Sequence, residues 1–229
     1  MEFLGKLSLT VHIFAGIISL VAGPVAIFYN FNDVRKHRIA GKIFFYAMLA
    51  ICLTAVSGYL KRPDQVFFQF LLGIAVFVLA SVLRGVRAMQ MMQGAPVRRF
   101  DFGYTIVLGA FGLWMSGMAV WHLQAGTALP FPVLFAVFGL GALADSGQNW
   151  RYFSRPGRVR RLDWYRLHAG SMLGAFTAST TAFTVNAAHF LPWYFQWFGP
   201  ALVLLPLQVY FGRKIMAQQG HIREIARHF

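Results

Sequence analysis

The sequence predicts an all-α integral membrane bundle of seven transmembrane helices, with the N-terminus outside and the C-terminus cytoplasmic. Three observations carry that expectation. Only 12% of the 229 residues are charged and 58% are hydrophobic, about half the charge that a soluble globule of this length carries. Seven apolar runs match the length of roughly 20 residues that a helix needs to cross the hydrocarbon core, at 8–29, 40–60, 66–87, 103–123, 130–147, 166–188 and 193–212. The Lys and Arg residues gather almost entirely on one side of those runs.

The first run, from Leu7 to Phe28, is longer than the ~7–15 apolar residues of a signal peptide. Its small-residue triplet Val21-Ala22-Gly23 is followed by Pro24, which disfavours cleavage, so a retained first span is expected. The connections are short and hold turn-formers, as in Lys61-Arg62-Pro63-Asp64, Gln124-Ala125-Gly126-Thr127 and Ser154-Arg155-Pro156-Gly157. They leave no room for a separate soluble domain. Within lipid each backbone polar group must be bonded inside its own segment, which makes helices the expected form of the spans. Residues 1–212 are therefore expected to form the transmembrane domain, and 213–229 a basic tail that lies as a short helix on anionic lipid.

Orientation follows from the cations. Arg35, Lys36, Arg38 and Lys42 follow span one, and Arg84, Arg87, Arg98 and Arg99 lie at or after the end of span three. Arg151, Arg155, Arg158, Arg160, Arg161 and Arg166 follow span five, and Arg213, Lys214, Arg223 and Arg227 lie in the tail. These are eighteen of the 21 Lys and Arg, with Lys6, Lys61 and Arg62 opposite. The crowded face reads as cytoplasmic, in a bacterial inner membrane. Topology accounts for the net charge of +14, so the expected partner is the bilayer and not nucleic acid. The single cysteine, Cys52, excludes a disulfide framework or a cysteine metal cluster.

Ionisable residues inside a membrane are costly and mark functional candidates. None of the seven carboxylates is central in a span. Asp33, Asp64, Asp101 and Asp163 fall in loops, Glu2 and Glu224 at the ends, and Asp145 at the cytoplasmic end of span five. That argues against a carboxylate-driven transporter.

The histidines form two tiers. His12, His122 and His189 lie near outer span ends, His37 and His168 near inner ones, and His221 and His228 in the tail. Two histidines on facing helices are what axial ligation of a b-type haem requires, and neutral imidazole is the commonest metal ligand.

Gly16, Ser19 and Gly23 share the His12 face, and Gly41 follows His37 by one turn. Such flat surfaces suit a porphyrin, or equally close helix packing. In span six His168, Ser179 and Asn186 share a face, and Thr177, Thr180, Thr181 and Thr184 make that helix the most polar. Its hydroxyls serve either a site or the preceding turn. Met115 and Met118 precede His122 on one face, which fits a copper site or plain packing. The outer aromatics Trp114, Trp121, Trp193, Tyr194 and Trp197 read as an interfacial belt or as the wall of a quinone or haem edge. Arg84 and Arg87 fit haem propionates, a pairing with Asp145, or membrane anchoring.

The segments "LTVHIFAGIISLVAGPVAIF", "KHRIAGKIFFYAML" and "LDWYRLHAGSMLGAF" resemble a family of uncharacterised bacterial multi-pass membrane proteins. The shared pattern is L-x-x-H in the first helix, H-R-x-x-G-K entering the second, and a histidine opening a later helix with a Thr- and Asn-containing end. Here these are His12; His37, Arg38, Gly41 and Lys42; and His168 with Thr181 and Asn186. The loop before H-R reads "NFNDVR", without the glycine usual there. The resemblance implies the topology and favours His12, His37 and His168 among the histidines; it implies no reaction. A looser similarity links the chain to transmembrane b-type cytochromes.

The leading expectation is a haem-binding membrane redox protein that exchanges electrons with a quinone or a membrane partner. His37 and His168 would serve the inner level, and His12 with His122 or His189 the outer. Copper or zinc are alternative metals. The rival is a non-catalytic membrane protein, an accessory or assembly subunit or a small-solute carrier, whose histidines are structural. A zinc hydrolase built on the outer trio lacks an intramembrane general base.

Overall fold

The structure, a computed structural model, describes residues 2–30 and 32–217. Among the described residues there is no strand, and seven α-helices follow one another. They are α1 (Glu2–Tyr29), α2 (Val34–Lys61), α3 (Val66–Met92), α4 (Arg99–Gln124), α5 (Phe131–Ser154), α6 (Arg161–Ala187) and α7 (Trp193–Ala217), with one 3-10 turn at Pro156–Arg158. The chain is all-α, and α1 to α5 are each long and apolar enough to cross a membrane. α6 and α7 have the length, at 27 and 25 residues, and α6, with its histidine and its run of Ser, Thr and Asn, is the least apolar of the seven.

The helices outrun the apolar segments on their basic side. α2 begins at Val34 and not 40, α3 continues to Met92 and not 87, α5 to Ser154 and not 147, and α6 begins at Arg161 and not 166. Backbone hydrogen bonding does not stop where hydrophobicity does, and Arg and Lys stems lie along the helix while their charges reach water. α7 likewise passes the expected domain boundary at 212 and runs to Ala217; the rest of the basic tail, with His221 and His228, lies outside the described residues.

Three carboxylates begin helices beside basic residues. Asp33 accepts the Lys36 N–H at 3.0 Å, Asp101 the Arg98 N–H at 2.8 Å, and Asp163 the Arg160 N–H at 3.3 Å. Each satisfies an amide that the first turn leaves unpaired and meets the positive end of the helix dipole.

The chain divides into two compact units. The first comprises Met1–His12, Ala50–Ala80 and Val97–Val159. Its core sets Phe70 against Phe131, Phe135 and Phe138, with ring centres 5.4–6.3 Å apart. α4 and α5 touch at Gly112 and Gly139, where a Cβ on Gly139 would stand 2.8 Å from the Ser116 backbone nitrogen. Met115 is fully buried with its thioether over Gly73, which supports the packing reading of that methionine.

The second unit comprises Ile13–Leu49, Ser81–Pro96 and Arg160–Phe229. Phe44 and Phe176 meet at 6.4 Å, and Ser19 and Ser179 share a buried hydrogen bond of 2.6 Å. The rest of the polar face of α6 turns inward on its own helix. Thr177, Thr180 and Thr184 donate to the carbonyls of Leu173, Phe176 and Thr180, and Asn186 donates to Ala182. These hydroxyls satisfy themselves locally. That supports the structural reading of the stripe.

Candidate functional site

The second unit brings His37 and His168 together. Their ring centres are 6.3 Å apart and their planes lie at 75°. Each ring is fixed through the same atom. His37 Nδ1–H donates to the Ala26 carbonyl at 2.8 Å, and His168 Nδ1–H donates to the Gly85 carbonyl at 2.9 Å.

Local structure explains both anchors. Ala26 is among the last four residues of α1, whose carbonyls lack helical partners, and the Asn30 N–H turns to Ile27 at 3.3 Å. The imidazole of His37 caps the carbonyl left over. At Gly85 the backbone lies close to α6: a Cβ there would stand 2.7 Å from Met172 Cε and would make that side chain shift.

A carbonyl can only accept, so both Nδ1 atoms carry a proton, and in the neutral rings both Nε2 atoms keep the lone pair. An Nδ1–H held by a carbonyl is the arrangement that orients a metal-ligating histidine. With Nδ1 engaged, Nε2 of each ring would be the atom left to hold a metal or a haem iron.

Both rings line a cavity of about 450 Å³. Its walls are mostly apolar, with Phe44, Phe45, Phe176, Met89 and Met172 among them, and Arg38 and Lys42 supply positive charge. Gly41 also lines the space, and a Cβ there would meet nothing within 4 Å. Gly23 differs, since a Cβ would stand 2.5 Å from the Phe176 ring. Of the two readings of the glycines, packing holds for Gly23 and an open surface for Gly41. Gly16 too is open, with its carbonyl accepting from Ser19 at 2.8 Å.

A haem fits this donor set. Two imidazoles engaged at Nδ1 and an aromatic and thioether lining would suit such a group, with His37 and His168 the residues to hold it.

Several lining residues carried no legible signal in the sequence. Tyr165 is buried, donates its phenol to Asn30 Oδ1 at 3.0 Å, and sets its ring 6.3 Å from that of His168. Asn30, Gln90 and Gln93 add polar atoms to the same wall. Tyr165 lies three residues before His168, one turn away on a shared face, which was the only available cue.

The other histidines are placed differently. His12 bonds Thr54 at 2.8 Å, and the single Thr54 hydrogen goes to the Ala50 or Ile51 carbonyl, so His12 Nδ1 is the donor. That ring shares the tautomer of His37 and His168, but within the first unit. His122 uses both nitrogens. The Gln69 amide donates to Pro63, so Gln69 Oε1 accepts from His122 Nε2–H at 3.3 Å and Thr127 donates to Nδ1 at 3.1 Å. Stacked on Phe135 at 5.4 Å, this ring has no lone pair to offer a metal. His189 is exposed in the turn after α6. Among the described residues no three His, Cys, Asp or Glu side chains converge as a metal site.

The aromatic rim also divides. Trp121 and Tyr194 are exposed, as a belt requires, whereas Trp197 is buried. Arg84 and Arg87 are buried too. Arg84 donates to Ser171 at 2.8 Å, and Arg87 to the side chain of Gln90 and the carbonyl of Pro96.

No protein-family model, curated protein or solved structure matches the chain.

Proposed function

We propose that the chain is a multi-pass protein of the bacterial inner membrane that holds a b-type haem between His37 and His168 and takes part in membrane electron transfer. In this reading all seven helices cross the bilayer, with the N-terminus outside and the basic face, where the site lies, in the cytoplasm. The positive-inside distribution supports the orientation. The motif similarity to the uncharacterised membrane family fits the topology and adds no reaction.

One observation supports the haem assignment: two imidazoles with ring centres 6.3 Å apart, each held at Nδ1 by a carbonyl, border one apolar cavity. When bound, a b-type haem supplies a one-electron couple tuned by its axial ligands and its surroundings. The protein's own part is to hold both rings in one tautomer, exclude water with Phe44, Phe45 and Phe176, and present positive charge. The electron partner would be a membrane quinone or a second redox protein.

The capping role of His37 on α1 favours a second reading, a non-catalytic accessory or carrier protein whose histidines close helix ends. Elemental analysis of protein purified from haem-supplied cells separates the two. Iron near one atom per chain supports the haem site. Copper or zinc in its place, or no metal, overturns it.

A further inference from the structure

The bond from the Tyr165 phenol to Asn30 Oδ1, 3.0 Å long, fastens α6 to the end of α1. From it the route to each ring of the histidine pair is short. On the α6 side, His168 follows Tyr165 by three residues, one turn along the same face. On the α1 side, His37 is held twice. Its Nδ1–H donates to the Ala26 carbonyl, one turn before Asn30. Its backbone N–H donates to the Asp33 carbonyl at 2.9 Å, and the Asp33 N–H donates to the Tyr29 carbonyl at 3.0 Å. Where the end of α1 goes, His37 goes with it.

α1 and α6 share a second side-chain bond, the one between Ser19 and Ser179 at 2.6 Å. Ser179 stands about three turns beyond His168, so this bond holds the two helices together away from the rings. The Tyr165–Asn30 bond lies beside them, and Tyr165 and Asn30 both border the same cavity as the histidines. Tyr165 is 3% exposed, and its ring centre is 6.3 Å from that of His168. Close packing leaves such a side chain little freedom to find another partner.

We propose that Tyr165 is a positioning residue for the histidine pair: through Asn30 it fixes the end of α1 against α6, and so sets the 75° between the ring planes of His37 and His168. This rests on the haem reading above, in which both rings ligate one iron. On one haem iron, nearly perpendicular imidazoles give a strongly anisotropic low-spin EPR signal, and imidazoles closer to parallel give a rhombic one. The angle is therefore measurable.

The test is the EPR spectrum of the oxidised, haem-loaded full chain, with the rate of haem transfer to an apoglobin measured beside it. Y165F should move the signal away from the strongly anisotropic form and speed haem loss about fivefold, the factor one hydrogen bond is worth. N30A should do the same, and Y165F/N30A should go no further than either alone, because the two side chains act as one pair. S179A, which breaks the other bond between α1 and α6, should leave signal and rate as in the wild type. An unchanged signal in both Y165F and N30A overturns the positioning role and leaves the haem site standing. So does an equal change in S179A, because loosening of the two helices would then be the cause, and so does an additive double variant. A wild type that shows no low-spin haem signal overturns the haem reading and this role with it. Should Y165F not fold, N30A against S179A decides.

Discussion

His168 and His37 stand 6.3 Å apart at nearly perpendicular planes, yet their anchors lie on different helices: Gly85 on α3 and Ala26 on α1. Four helices thus fix two rings. Neither ring can turn without breaking its Nδ1–H bond to a carbonyl, and a buried donor left unpaired costs about 1–3 kcal/mol. The pair is organised before any ligand arrives, which lowers the cost of binding one.

The glycines should separate by what a methyl group meets. Gly41→Ala is expected to leave thermal stability within about 0.5 kcal/mol, because the space is open. Gly139→Ala should cost about 2 kcal/mol or more, since its Cβ would press on the Ser116 backbone nitrogen and the Gly112 carbonyl, which cannot swing aside. Gly41→Leu should spare the fold and abolish cofactor retention by filling the cavity. Thermal unfolding in detergent, read beside the absorption spectrum, checks all three.

His122→Ala should leave any bound cofactor spectrally unchanged. Its ring loses bonds to Gln69 and Thr127 and its stack on Phe135, so stability should fall by about 1–2 kcal/mol. A variant whose cofactor spectrum changes would assign this histidine a ligand role that its hydrogen bonding excludes.

Ser179→Ala should cost about 1 kcal/mol, because Ser19 loses its buried partner. Thr180→Ala, which removes a bond within α6 alone, should cost less. Chemical denaturation of the two variants side by side gives the comparison.

Acid should weaken the protein through two helix starts outside the apolar core. The Lys36 backbone N–H holds the Asp33 carboxyl below its ordinary 3.8, and the Arg160 side chain does the same for Asp163. A carboxyl depressed in the folded state contributes its stability above the unfolded pKa and loses it as pH falls through the folded one. Stability should therefore hold from neutral pH to about 5 and decline below about 4. D33N/D163N should be less stable at pH 7 and show a flatter acid limb in pH-dependent melting.

Hydropathy and charge made the helices and their sequence legible, because lipid imposes length and composition directly. It left the helix ends on the basic side short, since Arg and Lys within α2, α3 and α6 read as loop to a pattern that tracks apolarity. The pairing of His37 with His168 was visible as a question of distance, which only packing answers. Tyr165 and Asn30 were not visible, because an aromatic and an amide near helix ends have no distinguishing pattern until the chain brings them together. Arg38 and Lys42 were read wholly as anchors. Their neighbours Arg35 and Lys36 are of the same type, and only the cavity tells the pairs apart.

The most direct measurement is the oxidised and reduced absorption spectrum of wild-type protein beside His37→Ala and His168→Ala. Two axial imidazoles predict a six-coordinate low-spin spectrum in the wild type. Each variant should lose it, retaining a five-coordinate high-spin haem or none, while circular dichroism still reports the helices. A wild type without a Soret band after haem supply, or folded variants that keep the low-spin spectrum, would contradict the account.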